Sequence, residues 1–373
     1  MPHYISTLKK SILREVHGDD YSSREISQPD TLKGLRIVLN AGNGSGYFFN
    51  AVLEELGADV SKSIYLIPDG TFSNEFGVPN PESTAMIAAT KKACIAANAD
   101  LGIMLDTDAD RCGFIIPRQI PDNEDSISYE ALNRNRLIAL MSVIFASSSP
   151  GCTIVTDSVT SEGLNTFLEN KLGLKHERYL KGYSNVIKRA RDLTESGKTL
   201  AEVAIETSGH CALRENGYMD DGTYTAVKVI GLLARVVNLK CTEEKKMKGI
   251  FELISDLYEM KEVKEFRMDV CDGTISTTEQ VFDSIVEGID EFSREIEGWM
   301  VDTDNLEGIR VRIEDGGFFM IRKSLHDPVL SLQVESTCIK NVKDFVLSPI
   351  LEIVDTKAKN SLNMWSLHEY MMV

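Results

Sequence analysis

Five apolar residues, Leu101 to Leu105, run straight into Asp106-Thr-Asp-Ala-Asp-Arg111, and a second apolar run, Gly113 to Ile116, follows after Cys112. Each run has the length of a buried strand. Three carboxylates within five residues repel one another, and they have no reason to end a buried strand unless a cation collects them. Hard oxygen donors at this density suit Mg²⁺, which takes one to three carboxylates and leaves room for a phosphate oxygen. Asp106, Asp108 and Asp110 are therefore the candidate metal ligands. A calcium-binding EF-hand loop would need Gly and Glu where Arg111 and Pro117 stand, so that reading fails. Two alternatives stay open at this point. One is a plain solvated turn; the other is a phosphatase with an aspartyl nucleophile, which also begins with a strand and Asp-x-Asp.

Around this stretch the chain alternates strand and helix. Residues 4–16 have helical spacing and lead into a polar connector, too little for a domain. An apolar run at 35–39 meets the tight turn Asn40-Ala-Gly-Asn-Gly-Ser-Gly46, with a helical pattern after it. The turn is Gly-x-Gly-x-Gly and not Gly-x-Gly-x-x-Gly, so a structural strand-to-helix turn is preferred to a dinucleotide site. Helices are expected at 84–98 and 133–145, and Ser147-Ser-Ser-Pro-Gly151 reads as a linker. The plan then repeats, with strands at 153–156, 176–180 and 200–205, helices at 161–172 and 184–193, and a long apolar helix capped by Asp220-Asp-Gly222. The last third changes character: a charged helix at 243–258, an alternating strand at 263–270, an amphipathic helix at 278–296, three strands between 308 and 334, and a closing helix at 341–354. The expected fold class is α/β: two mixed, mostly parallel α/β domains followed by an α+β C-terminal domain. The boundaries expected are 1–30 for a residual helix and linker, 31–148 for the domain with the acidic loop, 149–258 and 259–373.

The 57 acidic against 40 basic side chains give a net charge of −17. That argues against nucleic acid or an anionic membrane as the main partner. Any anionic substrate must be held by local groups against the global field. No apolar run approaches the roughly 18 residues of a membrane helix, and the first residues lack signal-peptide character. The 7 cysteines are scattered without Cys-x-x-Cys spacing, which suits reduced intracellular core residues better than a disulfide framework.

Three motifs, in this order, resemble those of the α-D-phosphohexomutases, the family of phosphoglucomutase, phosphomannomutase and phosphoglucosamine mutase. Asp106-Thr-Asp-Ala-Asp-Arg111 is similar to the metal loop, Asp-Gly-Asp-Gly/Ala-Asp-Arg. Glu206-Thr-Ser-Gly-His210 resembles the sugar loop, with Ile205 in place of a preceding Gly. Arg322-Lys-Ser-Leu-His-Asp-Pro328 looks like the phosphate loop, Arg-x-Ser-Gly-Thr-Glu-Pro, with Leu325, His326 and Asp327 replacing Gly, Thr and Glu. The resemblance covers nearly the whole chain. It implies Mg²⁺ at Asp106, Asp108 and Asp110, with Arg111 beside it as the one candidate catalytic residue. It implies sugar-phosphate contacts from Glu206, Ser208, His210, Arg322 and Ser324. The activity implied is movement of a phosphoryl group between C1 and C6 of a hexose phosphate, with hexose 1,6-bisphosphate as intermediate and activator.

Departures from the family pattern are equally specific. The family's first domain carries Thr-Ala-Ser-His-Asn-Pro, whose serine holds the phosphoryl group, and this motif does not occur in the sequence. The expectation is a chain comprising domains two to four, with an N-terminal domain missing. Ser331 stands where a second arginine is common, and Ser184 where the family often has lysine. A non-catalytic sugar-phosphate-binding or regulatory protein is therefore the competing reading, and a metal-dependent phosphatase a third. The expected location is cytoplasmic, or the plastid stroma if a transit region is missing. The sequence does not choose among glucose, mannose and glucosamine phosphates.

Overall fold

Apolar runs and capped helices assemble into three sheets with helices packed on them. The computed structural model describes residues 1–19, 30–120, 123–239, 249–271, 273–324 and 327–372. Along the chain come α1 (Pro2–His17), β1 (Ile37–Asn40), α2 (Phe49–Glu55), α3 (Thr84–Ala97), β2 (Leu101–Leu105), β3 (Cys112–Ile120), β4 (Asn123–Leu132) and α4 (Arg134–Ser148). Then follow β5 (Thr153–Asp157), α5 (Glu162–Thr166), β6 (Lys175–Tyr179), α6 (Tyr183–Glu195), β7 (Ala201–Ile205), β8 (Cys211–Leu213) and α7 (Gly222–Leu239). The last third holds β9 (Glu262–Asp269), α8 (Ile275–Phe292), β10 (Met300–Val301), β11 (Ile309–Arg312), β12 (Phe318–Lys323), β13 (Val329–Ser336), α9 (Ile339–Asn341), α10 (Ser348–Lys357) and α11 (Trp365–Met372).

Two compact units result: 1–157 with 167–177 and 182–257, and 158–166 with 178–181 and 258–373. In the first, β1 and β2 pair in parallel, Asn40 opposite Met104, while β3 and β4 return antiparallel. The sheet is mixed, as expected, but its antiparallel share is larger than the strand-helix rhythm suggested. Strand β4 was not anticipated: its polar sequence belongs to the edge of the β1-β2-β3-β4 sheet, where alternation with an apolar face is not required. All five residues of β2 are buried, so Leu101, Ile103, Met104 and Leu105 each contribute about 1.5–3 kcal/mol of burial. Helix α3 starts at Ser83, whose hydroxyl accepts from the Met86 amide, and stops at Asn98 with left-handed φ of 46°. It lays Met86 and Cys94 on the sheet. The second sheet has order β6-β5-β7-β8, with β5 and β7 parallel and β8 antiparallel to β7.

Helix α1 is part of the first unit. Leu8 and Ile12 are fully buried, the Glu15 carboxylate meets Lys228 of α7 at 2.5 Å, and Tyr4 donates to Asp221 at 2.7 Å. Of the charged helix expected at 243–258, residues 243–248 lie outside the described residues. The described remainder is a short 3₁₀ turn, Ile250–Ile254, that ends at Ser255 instead of continuing as helix.

The second unit is an antiparallel sheet of order β10-β11-β12-β13-β9, with α8 and α10 against one face. The closing helix is interrupted. A π-helical stretch, Val342–Leu347, precedes α10, because Pro349 has no N–H to give the Phe345 carbonyl. The Trp299 indole gives one instead, at 2.8 Å. On the sheet's other face the fully buried Arg310 donates to the carbonyls of Ser158 and Thr160, both at 3.0 Å, and to Glu162 at 2.8 Å. Helix α11 has no counterpart in the sequence reading.

Candidate functional site

The acidic loop leaves the end of β2 in the first unit. Asp106 is buried, and both its oxygens are held by one residue: Oδ1 accepts from the Arg111 amide at 3.1 Å and Oδ2 from Arg111 Nε at 2.7 Å. Ala109 turns the loop in the left-handed region at φ 66°, a conformation a non-glycine residue holds only against strain. One oxygen from each of Asp106, Asp108 and Asp110 lies within 4.8 Å of the other two. Asp110 Oδ1 is buried without a hydrogen-bond partner, and its neighbour is His210 Nδ1 at 3.7 Å. Burial pushes the Asp110 carboxyl up to about 6, Asp106 adds to the shift, His210 opposes it, and Asp108 and Asp220 add further. Three oxygens facing one another, one of them without a donor, fit a divalent cation with oxygen preference.

The glycine turn before α2 supports this loop. The Ser45 amide donates to the Thr107 carbonyl at 2.8 Å. A Cβ on Gly44 would lie 2.7 Å from the Thr107 carbonyl oxygen and 2.8 Å from that of Asp106. Glycine is needed there because two backbones touch, which supports the structural reading of the turn over a dinucleotide site.

The Glu206–His210 loop joins β7 to β8 in the same unit. Glu206 is buried, and Gly182 donates its amide to Glu206 Oε1 at 2.6 Å. Ser208 Oγ lies 3.4 Å from Glu206 Oε2. Gly209 has φ of 98°, and a Cβ there would sit 2.6 Å from the Cys112 carbonyl oxygen. The two loops are thereby zipped together, with Arg111 and His210 forming an antiparallel bridge. His210 Nδ1 meets Asp220 Oδ2 at 2.7 Å, and Tyr183 stacks on the ring at 4.8 Å. Burial lowers the histidine's proton affinity, but the hydrogen bond and charge of Asp220, with Asp110 and Glu206, raise it above the ordinary value. Of the expected site residues, the structure thus brings together Asp106, Asp108, Asp110, Arg111, Glu206, Ser208 and His210.

Arg322 and Ser324 belong to the second unit. Arg322, next to last in β12, has Nη2 3.4 Å from Glu265 Oε1. The Ser324 amide donates to the Val329 carbonyl at 2.8 Å. Leu325 and His326, two of the three altered positions of this loop, lie outside the described residues. Asp327, the third, presents its amide 3.4 Å from Ser324 Oγ.

Two family models match the chain. Residues 18–119 match phosphoglucomutase/phosphomannomutase, alpha/beta/alpha domain II, and residues 133–259 match domain III of the same enzymes. The chain belongs to the α-D-phosphohexomutase family. A phosphomannomutase/phosphoglucomutase of Pseudomonas putida is 26% identical over 342 residues, covering 90% of this chain and 65% of that protein. A phosphoglucosamine mutase of Rhizobium johnstonii is 32% identical over 219 residues, 58% of this chain and 44% of that protein. The fold is shared with a phosphoglucomutase/phosphomannomutase family protein of Burkholderia thailandensis, at TM-score 0.67, 22% identity, and coverage of 96% of this chain and 65% of that one. It is also shared with Aspergillus fumigatus N-acetylphosphoglucosamine mutase in complex with GlcNAc-6P and magnesium, at TM-score 0.59, 12% identity and coverage of 95% and 65%. The chain thus spans about two thirds of the length of these solved structures and less of some curated relatives.

Within this phosphohexomutase-family chain, four residues that position the site carry no signal in the sequence. Asp220 reads in the sequence only as a helix cap, yet it orients His210. Tyr183 and Gly182 come from the start of α6, beside Ser184, which stands where the family often has lysine. Thr207, which matched no pattern, gives its hydroxyl to buried Asp157 at 2.7 Å and so pins the loop to the end of β5. No spacing rule signals these partners, because the contacts run between separate strand ends.

Proposed function

We propose that this chain binds Mg²⁺ and a hexose phosphate, and takes part in phosphoryl transfer between C1 and C6 through a hexose 1,6-bisphosphate. The observation that carries the reading is the buried, unbonded Asp110 Oδ1 beside Asp106 and Asp108, zipped to a loop holding a buried glutamate. Bound Mg²⁺ would neutralise charge developing on the transferring phosphoryl oxygens. Asp106, Asp108 and Asp110 would hold it, and Arg111 keeps Asp106 in place. Glu206, fixed by the Gly182 amide, accepts from sugar hydroxyls, with Ser208 beside it. His210, whose Nδ1 donates to Asp220, presents Nε2 to the ligand, as an acceptor when the ring is neutral and as a donor when it is protonated. Arg322 and Ser324 anchor a phosphate that is not reacting. The roles assigned here to these residues are binding and positioning. We assign the metal loop to segment 31–148, the sugar loop to 149–258 and the phosphate loop to 259–373. No described helix is long and apolar enough to cross a membrane.

An aspartyl-nucleophile phosphatase fits less well, since Asp106 is buried with both oxygens engaged by Arg111. The test supplies the purified chain with glucose 1-phosphate, Mg²⁺ and catalytic glucose 1,6-bisphosphate, and follows glucose 6-phosphate and bisphosphate binding. Mg²⁺-dependent bisphosphate binding that is lost in Asp106→Asn is the expected result. Binding without turnover favours the non-catalytic reading, release of inorganic phosphate favours the phosphatase, and absence of binding to glucose and mannose bisphosphates alike refutes the proposal.

A further inference from the structure

Strand register places three polar residues in one row on a single face of the second unit's sheet. Arg322 of β12 is opposite Ser331 of β13, and Ser331 is opposite Arg267 of β9. Cross-strand partners project to the same side, so the two arginines flank a small serine across a backbone span of about 10 Å. Glu265, two residues before Arg267 on the same strand, shares that face. It accepts from Ser331 Oγ at 2.6 Å and lies 3.4 Å from Arg322 Nη2. Its carboxylate thus sits where Ser331 and Arg322 would receive an anion. Arg267 is 3.4 Å from Asp327 Oδ2, with 59% of its side chain exposed. Both ion pairs are longer than the roughly 2.7–2.9 Å of a tight charge-assisted bond; the exposed Arg267 pair is readily given up, while Arg322 is largely buried and the carboxylate it meets on Glu265 is the more exposed partner.

We infer that Arg322 and Arg267 are the two cations of one phosphate-binding site, with the Ser331 hydroxyl between them and the Glu265 carboxylate as a built-in competitor that the ligand displaces. The inference rests on the phosphate-anchoring role proposed for Arg322. A phosphate monoester offers three terminal oxygens and up to two charges, enough for both guanidinium groups and the hydroxyl at once; the Glu265 carboxylate has two oxygens and one charge. Position 331 gives up its own cation, and the neighbouring strand supplies it.

The test titrates the whole chain with glucose 6-phosphate at low salt, with glucose as the uncharged control. Glu265→Gln should bind about tenfold tighter and Arg267→Ala about tenfold weaker, with Arg267→Lys between Arg267→Ala and the unaltered chain. Thermal midpoints should stay together, because the Arg267 pair is exposed. A chain that binds glucose 6-phosphate equally well with Arg267→Ala while Arg322→Ala loses binding overturns the inference and leaves the role of Arg322 standing. Equal or weaker binding in Glu265→Gln overturns the competitor role. Failure of the unaltered chain to bind the sugar phosphate would remove the functional reading and this inference with it.

Discussion

Replacing Asp110 with asparagine should change stability in opposite directions with and without Mg²⁺. The carboxyl titrates at about 6 in the folded chain, against about 3.9 in an unfolded one. The folded state therefore binds the proton more tightly, and ionisation of Asp110 opposes folding. That penalty is absent below about pH 4, develops between about 4 and 6, and is complete above. At 1.36 kcal/mol per tenfold the full difference would be about 3 kcal/mol; water at the half-buried carboxylate and coupling to its neighbours reduce it to on the order of 1–2 kcal/mol. Asp110→Asn removes it. In EDTA at pH 8 the variant should accordingly be more stable than the unaltered chain by about 1–2 kcal/mol, with the gap narrowing toward pH 5. Saturating Mg²⁺ should reverse the order, since a ligand at a hundredfold excess over Kd stabilises by about 2.7 kcal/mol and the variant has lost one of three ligands. Urea unfolding of both proteins at several pH values, in EDTA and in Mg²⁺, measures all four corners. A variant less stable than the unaltered chain in EDTA at pH 8, or one that gains as much from Mg²⁺, would refute the assignment of Asp110 to a metal site.

Gly44→Ala should weaken Mg²⁺ binding about tenfold without altering any ligand, because its Cβ would press within 2.8 Å of the Asp106 and Thr107 carbonyl oxygens; isothermal titration with Mg²⁺ reads this, and unchanged affinity would separate the glycine turn from the metal loop. Arg310→Ala should destabilise the chain by about 3–5 kcal/mol, since it strands Glu162 and two carbonyls around a buried cation site; a shift in the urea midpoint worth less than about 1 kcal/mol would show that water or a neighbour replaces the guanidinium.

The local information in this chain was enough to single out the acidic loop at 106–111, the loop at 206–210 and most elements. A five-residue apolar run ending in three aspartates admits few meanings, because charge repulsion and burial are properties of the residues themselves. Helices with clear caps, such as α3 and α7, were legible for the same reason. Strand β4 was not, because an edge strand is held by β3 and needs no pattern of its own. The π-helical break before α10 depended on Trp299 reaching a carbonyl freed by Pro349, which lies 50 residues away in sequence. Only the tertiary structure could set Asp220 on His210, press Gly44 against the acidic loop, or put Arg267 in line with Arg322 across Ser331. Those relations come from strand register and backbone approach between distant segments, and sequence spacing carries no record of either.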